Sequence, residues 1–199
     1  MQLAKAEIVR GLEDPAGVMR FLETVGRICH DSGPSRDAES ADKFIRMLVR
    51  LGHTSVLEHV DVTVRVECDR AMAMQWTRHR LASYTMESQR YVKYDDGVLF
   101  IDPEARKSSQ QSEILLRSAC DDAQERYQGL LQAGWPAEDA RAVLPNCTKT
   151  VFYTTANLRS WMHFFEMRCA PGAQHNIRRV ALELLKQMAD KLPAVFQTS

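Results

Sequence analysis

Between residues 60 and 68 a valine or cysteine stands at every second position: Val60, Val62, Val64, Val66 and Cys68 alternate with Asp61, Thr63, Arg65 and Glu67. Successive side chains of a β-strand point to opposite faces, so this segment predicts a strand with one face buried and the other polar. Such a strand needs neighbours for its backbone groups and a second layer over its apolar face. The chain must therefore build a sheet, and the segments around it say what covers that sheet.

Most of them read as helices. Asp14-Pro15 is an N-cap followed by proline at the first helical position, and Val18, Phe21, Leu22, Val25, Ile28 and Cys29 follow at helical spacing. The polar run 31–40 reads as a loop. A second helix carries Phe44, Ile45, Leu48 and Leu51, with Gly52 suited to its C′ position. Asp69 can cap a helix over about 70–80. Asp95-Asp96-Gly97 marks a turn before a short apolar strand at 98–101. A long helix fills much of 108–133 and stops at Gly134. The β-branched and aromatic run 148–155 reads as a strand, and helices at about 158–168 and 174–191 follow. Helices and strands mix without a regular βαβ rhythm, which predicts an α+β fold. There is no G-x-G-x-x-G, so a Rossmann-type flavin site is not indicated.

Bulk properties exclude several function classes. The 199 residues suit a single domain. Lys+Arg and Asp+Glu both number 26, and zero net charge argues against a non-specific nucleic-acid binder. No apolar run approaches the roughly 20 residues of a membrane span, and the acidic N-terminal stretch does not read as a signal peptide. Cys29, Cys68, Cys120, Cys147 and Cys169 are odd in number and lack C-x-x-C spacing. Neither a disulfide framework nor a metal site is expected, and reduced thiols in a cytoplasmic protein are the simple reading.

The densest polar chemistry lies at 78–91. If the helix after Asp69 runs through Arg80, then Gln75, Arg78 and His79 share one face. An arginine fork suits phosphate because it donates two parallel hydrogen bonds. Ser88 and Arg90 stand two apart in what should be an extended loop, so their side chains should point the same way. From spacing alone, a solvated charged helix end explains the cluster as well.

The residues also carry a resemblance. Arg78-His79-Arg80, seven residues and then Ser88 resembles the signature of flavin-dependent thymidylate synthases. The segment Gly52-His53-Thr54-Ser55-Val56-Leu57-Glu58-His59 is similar to that family's Gly-His-x-Ser/Thr-x-x-Glu-His. Ala140-Arg141-Ala142-Val143-Leu144-Pro145 resembles its Ala-Arg-x-x-Leu-Pro, and the helix from Asn157-Leu158-Arg159-Ser160 to Arg168 resembles its Asn-x-Arg-Ser…Arg. Ala173-Gln174 and Ile177-Arg178 keep part of the next segment. The matches run in order from about residue 52 to 178.

The resemblance implies one domain over 1–199 with a central, mostly antiparallel twisted sheet flanked by helices, assembling as a homotetramer with shared active sites. It implies FAD near His53, Ser55 and Glu58, near Arg78, His79 and Arg80, and near Asn157, Arg159 and His163. It implies a nucleotide held by Gln75, Arg78, Ser88, Gln89, Arg90, Arg141 and Arg168. The implied reaction is reductive methylation at C5 of a uridine monophosphate nucleotide, dUMP to dTMP. Methylenetetrahydrofolate is the carbon donor and FAD reduced by NADPH the hydride carrier. Arg168 is the candidate for stabilising charge on the uracil carbonyl edge, and Ser88 for orienting or polarising the ring. His59 reads as a satisfied core histidine, outside the site. On the α-helix carrying them, Arg159 and His163 share a face while Arg168 lies about half a turn away.

Several positions depart from the pattern. Thr85 and Met86 stand where the family often has Asn or Ser followed by Glu or Gln. Met74 replaces an arginine before Gln75-Trp76, and His175-Asn176 replaces Trp-Glu. These departures bear on the substrate, and leave open the same chemistry on UMP, as in a relative from nucleoside-antibiotic biosynthesis. A non-catalytic flavin- or nucleotide-binding protein is the alternative of another class. An RNA-binding protein using Arg78, Arg80 and Arg90 with Tyr84 and Tyr91 is weaker, because zero net charge gives no groove to track a backbone.

Overall fold

The computed structural model describes residues 1–28, 38–106 and 108–197. Four strands, β1 (Lys5–Arg10), β2 (Asp61–Asp69), β3 (Ser83–Met86) and β4 (Lys149–Asn157), form one sheet in the order β1-β2-β4-β3. Cross-strand partners give the register. On β1 and β2, Lys5 pairs with Glu67 and Glu7 with Arg65. On β2 and β4, Thr63 bonds Thr155, while Leu158 N–H donates to Val60 and Arg70 N–H to Thr148 at the two ends. On β4 and β3, Tyr84 lies opposite Thr154 and Glu87 N–H donates to Val151. Each series rises on one strand as it falls on the other, so every pair is antiparallel, as an α+β fold requires.

β2 is the predicted strand, with Val62, Val64, Val66 and Cys68 fully buried and Asp61 exposed. Its C-terminal end is buried on both faces. There Glu67 lies between Lys5 Nζ at 3.1 Å and Lys149 Nζ at 3.2 Å, cations from the two neighbouring strands. Asp69 caps the helix that follows. A carboxylate buried without such partners would be costly, so these residues also select the register.

The helices are α1 (Pro15–Arg27), α2 (Ala38–Arg50), α3 (Arg70–Trp76), α4 (Gln110–Gln132), α5 (Ala137–Ala140), α6 (Leu158–Arg168), α7 (His175–Lys191) and α8 (Pro193–Phe196). The chain forms two compact units. One comprises Met1–Lys5, Val66–Arg78 and Thr85–Phe152, the other Ala6–Arg65, His79–Tyr84 and Tyr153–Ser199.

In the first unit, α4 opens with a capping box between Ser109 and Ser112 and closes on Gly134 at φ +92°. Gly134 and Trp135 donate back to Leu131 and Leu130, the paired bonds of a glycine C-cap. α4 buries Cys120, Ala123 and Tyr127, and Cys120 and Tyr127 pack with Val98, Phe100 and Ala140. Trp76 meets Phe152 edge to face at 5.7 Å.

In the second unit, Asp14 Oδ1 accepts from Gly17 N–H at 2.9 Å and starts α1, as predicted. The buried face is Met19, Leu22, Glu23 and Gly26, rotated from the expected stripe; Phe21 is 48% exposed and Ile28 76%. Gly26 sets this rotation, because a Cβ there would lie 2.7 Å from the Phe44 ring of α2. α2 ends in the predicted manner: Gly52 at φ +73° and His53 donate to Val49 and Leu48. α6 buries Leu158, Trp161, Phe164 and Phe165 and packs on α7.

Other expectations change. α3 ends at Trp76 rather than Arg80. Thr77 caps it, its N–H bonding Ala73 and its hydroxyl Met74, which diverts the chain after two turns. The segment 98–101 makes isolated bridges, Gln2 with Ile101 and Phe100 with Thr148, instead of a ladder strand. Residues 38–40 of the predicted loop are helical, while Cys29 and residues 31–37 lie outside the described residues. Among the described residues no helix is long and apolar enough to cross a membrane.

Candidate active site

The predicted site residues fall into two groups, each within one unit. His53, Ser55, Glu58, His79, Arg80, Asn157, Arg159, His163 and Arg168 belong to the second; Gln75, Arg78, Ser88, Gln89, Arg90 and Arg141 belong to the first.

In the second unit the organising element is α6. Asn157 is its N-cap, accepting from Ser160 N–H at 2.9 Å. The first turn presents Arg159, ion-paired with Glu58 of the 3-10 turn Thr54–His59. His53 stands before that turn, and His53, Ser55 and Glu58 are all exposed. The last turn presents Arg168, whose Nε donates to His79 Nε2 at 2.9 Å. Arg159 and Arg168 thus take different partners at opposite ends of the helix, as the half-turn between them predicts.

His79 lies edge-on to Phe164, centroids 4.9 Å apart, with His163 at 6.1 Å. Burial, then the Arg168 charge, then His163 push its pKa down to about 4, so the ring is neutral near pH 7. Tyr84 Oη donates to the His79 carbonyl at 2.7 Å and fixes the main chain there. Arg178 Nε donates to the Cys169 carbonyl at 3.0 Å, closing α6 just beyond Arg168. Arg80 is exposed, with no polar partner among the described residues.

In the first unit Glu138 draws two arginines together. Its carboxylate accepts from Arg90 Nε at 2.9 Å, and its carbonyl accepts from Arg141 Nε at 3.0 Å. Among the described residues, the terminal NH groups of both guanidiniums have no other partner. Arg90 also stands over the Tyr91 ring at 5.5 Å. Ser88 is not in an extended loop. Its carbonyl accepts from Tyr91 and Val92, and its Oγ accepts from Arg90 N–H at 3.3 Å, so the segment turns back on itself. The preceding stretch, Ser83–Met86, is strand β3. Gln89 is only 8% exposed, and its Nε2 has no hydrogen-bond partner among the described residues. Met86 Sδ lies 3.7 Å from Arg70 Nη1.

The shared helical face of Gln75, Arg78 and His79 does not exist. Gln75 is the only one of the three on α3, and Arg78 is exposed beyond its end. His59 is exposed rather than a core histidine. Glu138, Tyr84 and Tyr94 were not singled out by the motifs. The acid at 138, three residues before Arg141, is the one sequence signal that could have pointed to the arginine pair.

Known proteins resemble this chain over most of its length. Residues 13–194 match the family model described as thymidylate synthase complementing protein. The chain is 38% identical over 162 residues to the flavin-dependent thymidylate synthase of Geobacter sulfurreducens, covering 80% of this chain and 70% of that one. It is 34% identical over 201 residues to the enzyme of that name from Mycobacterium avium, and 35% over 201 to that from Mycobacterium tuberculosis, each time covering 92% of this chain and 80% of the other. The chain belongs to the thymidylate synthase complementing protein family, which by the names of these curated members is a family of flavin-dependent methyltransferases.

Proposed function

We propose that the chain methylates C5 of dUMP to give dTMP, with methylenetetrahydrofolate as carbon donor and FAD reduced by NADPH. The observation that carries this reading is the cluster at Glu138. Two guanidiniums whose terminal NH groups have no partner among the described residues stand together in the unit that holds the Ser88 turn and the buried Gln89 donor. Phosphate is well matched by paired arginine forks, and a base edge by a buried amide.

The second unit fits a dinucleotide. His53, Ser55, Arg80 and Arg159 are exposed donors suited to a pyrophosphate and its sugars, with Asn157 and Glu58 beside them. His79, neutral and backed by Phe164, with His163 near it, offers a flat, uncharged surface to a ring. Arg78 would serve both ligands. When bound, the reduced flavin supplies hydride and the folate supplies the carbon; the protein contributes binding, orientation and electrostatics.

Arg168, aimed by His79, is the group for the uracil carbonyl edge, where a fixed cation stabilises developing negative charge. Ser88 orients the ring. Cys68, Cys120 and Cys169 do not suit a nucleophile adding to C6, because burial raises their pKa values and thiolate is the reactive form. The reading includes a homotetramer with shared active sites, consistent with α6 presenting arginines at both ends. Omission assays test it: dTMP, identified by mass, forms only when FAD, NADPH, methylenetetrahydrofolate and dUMP are all present. Formation without flavin would refute it.

A further inference from the structure

We infer that Tyr94 is a positioning residue for the Ser88 turn, its hydroxyl anchoring Glu87, the residue that leads into Ser88. The inference rests on the proposed nucleotide site. Local hydrogen bonds shape the turn itself: Tyr91 and Val92 N–H donate to the Ser88 carbonyl at 3.1 and 2.9 Å. They do not say where the turn points. That depends on what holds Glu87.

Glu87 N–H is tied to the Val151 carbonyl of β4 at 2.9 Å. Its carboxylate accepts from Tyr94 Oη at 3.0 Å. The Gln89 side chain is buried on the other side of Ser88. Backbone and side chain of Glu87 are therefore both held. Tyr94 can act as an anchor because its ring does not move freely: it packs on the core cluster, 5.8 Å from the buried Tyr127 ring. Burial, the largest cause, keeps the phenol protonated by pushing its pKa up to about 12, so it remains a donor throughout the physiological range. Ser88, Gln89 and Arg90 are three consecutive residues of the proposed nucleotide site. An anchor on Glu87 sets how the chain enters all three, and a displaced donor loses its hydrogen bond to a bound ligand.

Tyr94→Phe keeps the ring and removes the hydroxyl. In the holoenzyme, amide hydrogen exchange at Tyr91 and Val92 should accelerate, and KM for dUMP should rise about tenfold with kcat changed less than about twofold, the loss expected for a charged-group hydrogen bond. Glu87→Gln, which keeps an acceptor for the hydroxyl, should behave as wild type, and Glu87→Ala should resemble Tyr94→Phe. Unchanged exchange at Tyr91 and Val92, unchanged KM, or equal behaviour of Glu87→Gln and Glu87→Ala would overturn the inference. If Tyr94→Phe does not fold, the two Glu87 variants decide. If wild-type protein binds dUMP but does not turn it over, the proposed reaction fails, while exchange and dUMP affinity still judge Tyr94.

Discussion

Arg168 Nε donates to Nε2 of His79, so the imidazole accepts at that nitrogen and its own proton sits on Nδ1. Burial and two nearby groups hold this histidine at a pKa of about 4, below its ordinary 6.5. A neutral His79 can aim Arg168 without adding a second positive charge beside it.

An NMR titration should therefore show the His79 ring signal moving with a midpoint near pH 4. Linkage gives the sign for stability. A base with a depressed folded pKa contributes stability that is present above pH 6.5 and lost as the pH falls through about 4. His79→Gln should flatten that part of the pH dependence of unfolding. A midpoint near 6.5 would contradict the assignment.

Arg159 and Glu58 form an exposed pair, with side chains 55% and 45% accessible. Exposed pairs contribute about 1 kcal/mol or less, so Arg159→Ala should leave Tm within about 2–4 °C. Its effect should fall on FAD instead, raising the Kd by about tenfold or more through loss of a charge-assisted hydrogen bond. Absorbance titration of the apoprotein checks this.

Arg141→Ala should raise the Kd for dUMP by about 10- to 100-fold, corresponding to about 1.5–3 kcal/mol for a hydrogen bond to a charged group. Deoxyuridine, which lacks the phosphate, should bind wild type and variant alike. Calorimetry with the two ligands separates phosphate recognition from base recognition.

Asn157 caps α6 while standing in the proposed flavin group. Asn157→Ala should cost about 1 kcal/mol, lowering Tm by about 2–4 °C. Asn157→Asp keeps the cap oxygen and should restore Tm, while placing a negative charge near the proposed pyrophosphate and weakening FAD. Equal FAD affinity in the two proteins would remove Asn157 from that group.

What was legible in the sequence was what local chemistry determines. The alternation along β2, the caps at Asp14 and Asp69, and the helix stops at Gly52 and Gly134 each involve neighbours a few residues away. β1 was missed because its alternation covers only Lys5, Ala6, Glu7 and Ile8, none of them fully buried, and its place depends on pairing Lys5 with Glu67. The Ser88 turn was read as extended because its fixing contacts come from Tyr91, Val92 and Tyr94. α3 was drawn too long because propensity does not register a hydroxyl folding back on Met74. The proposed site residues stood out as motifs. Their grouping did not, since Arg90 reaches Glu138 across 48 positions and Arg168 reaches His79 across 89.

Tritium release from C5-labelled dUMP and UMP, measured side by side with FAD, NADPH and methylenetetrahydrofolate, tests the central claim most directly. The account predicts release from dUMP, matched by dTMP formation, and abolished in Arg168→Ala. Faster release from UMP would make the enzyme a ribonucleotide methylase and turn attention to Thr85 and Met86. No release from either nucleotide, by protein that binds FAD, would contradict the account.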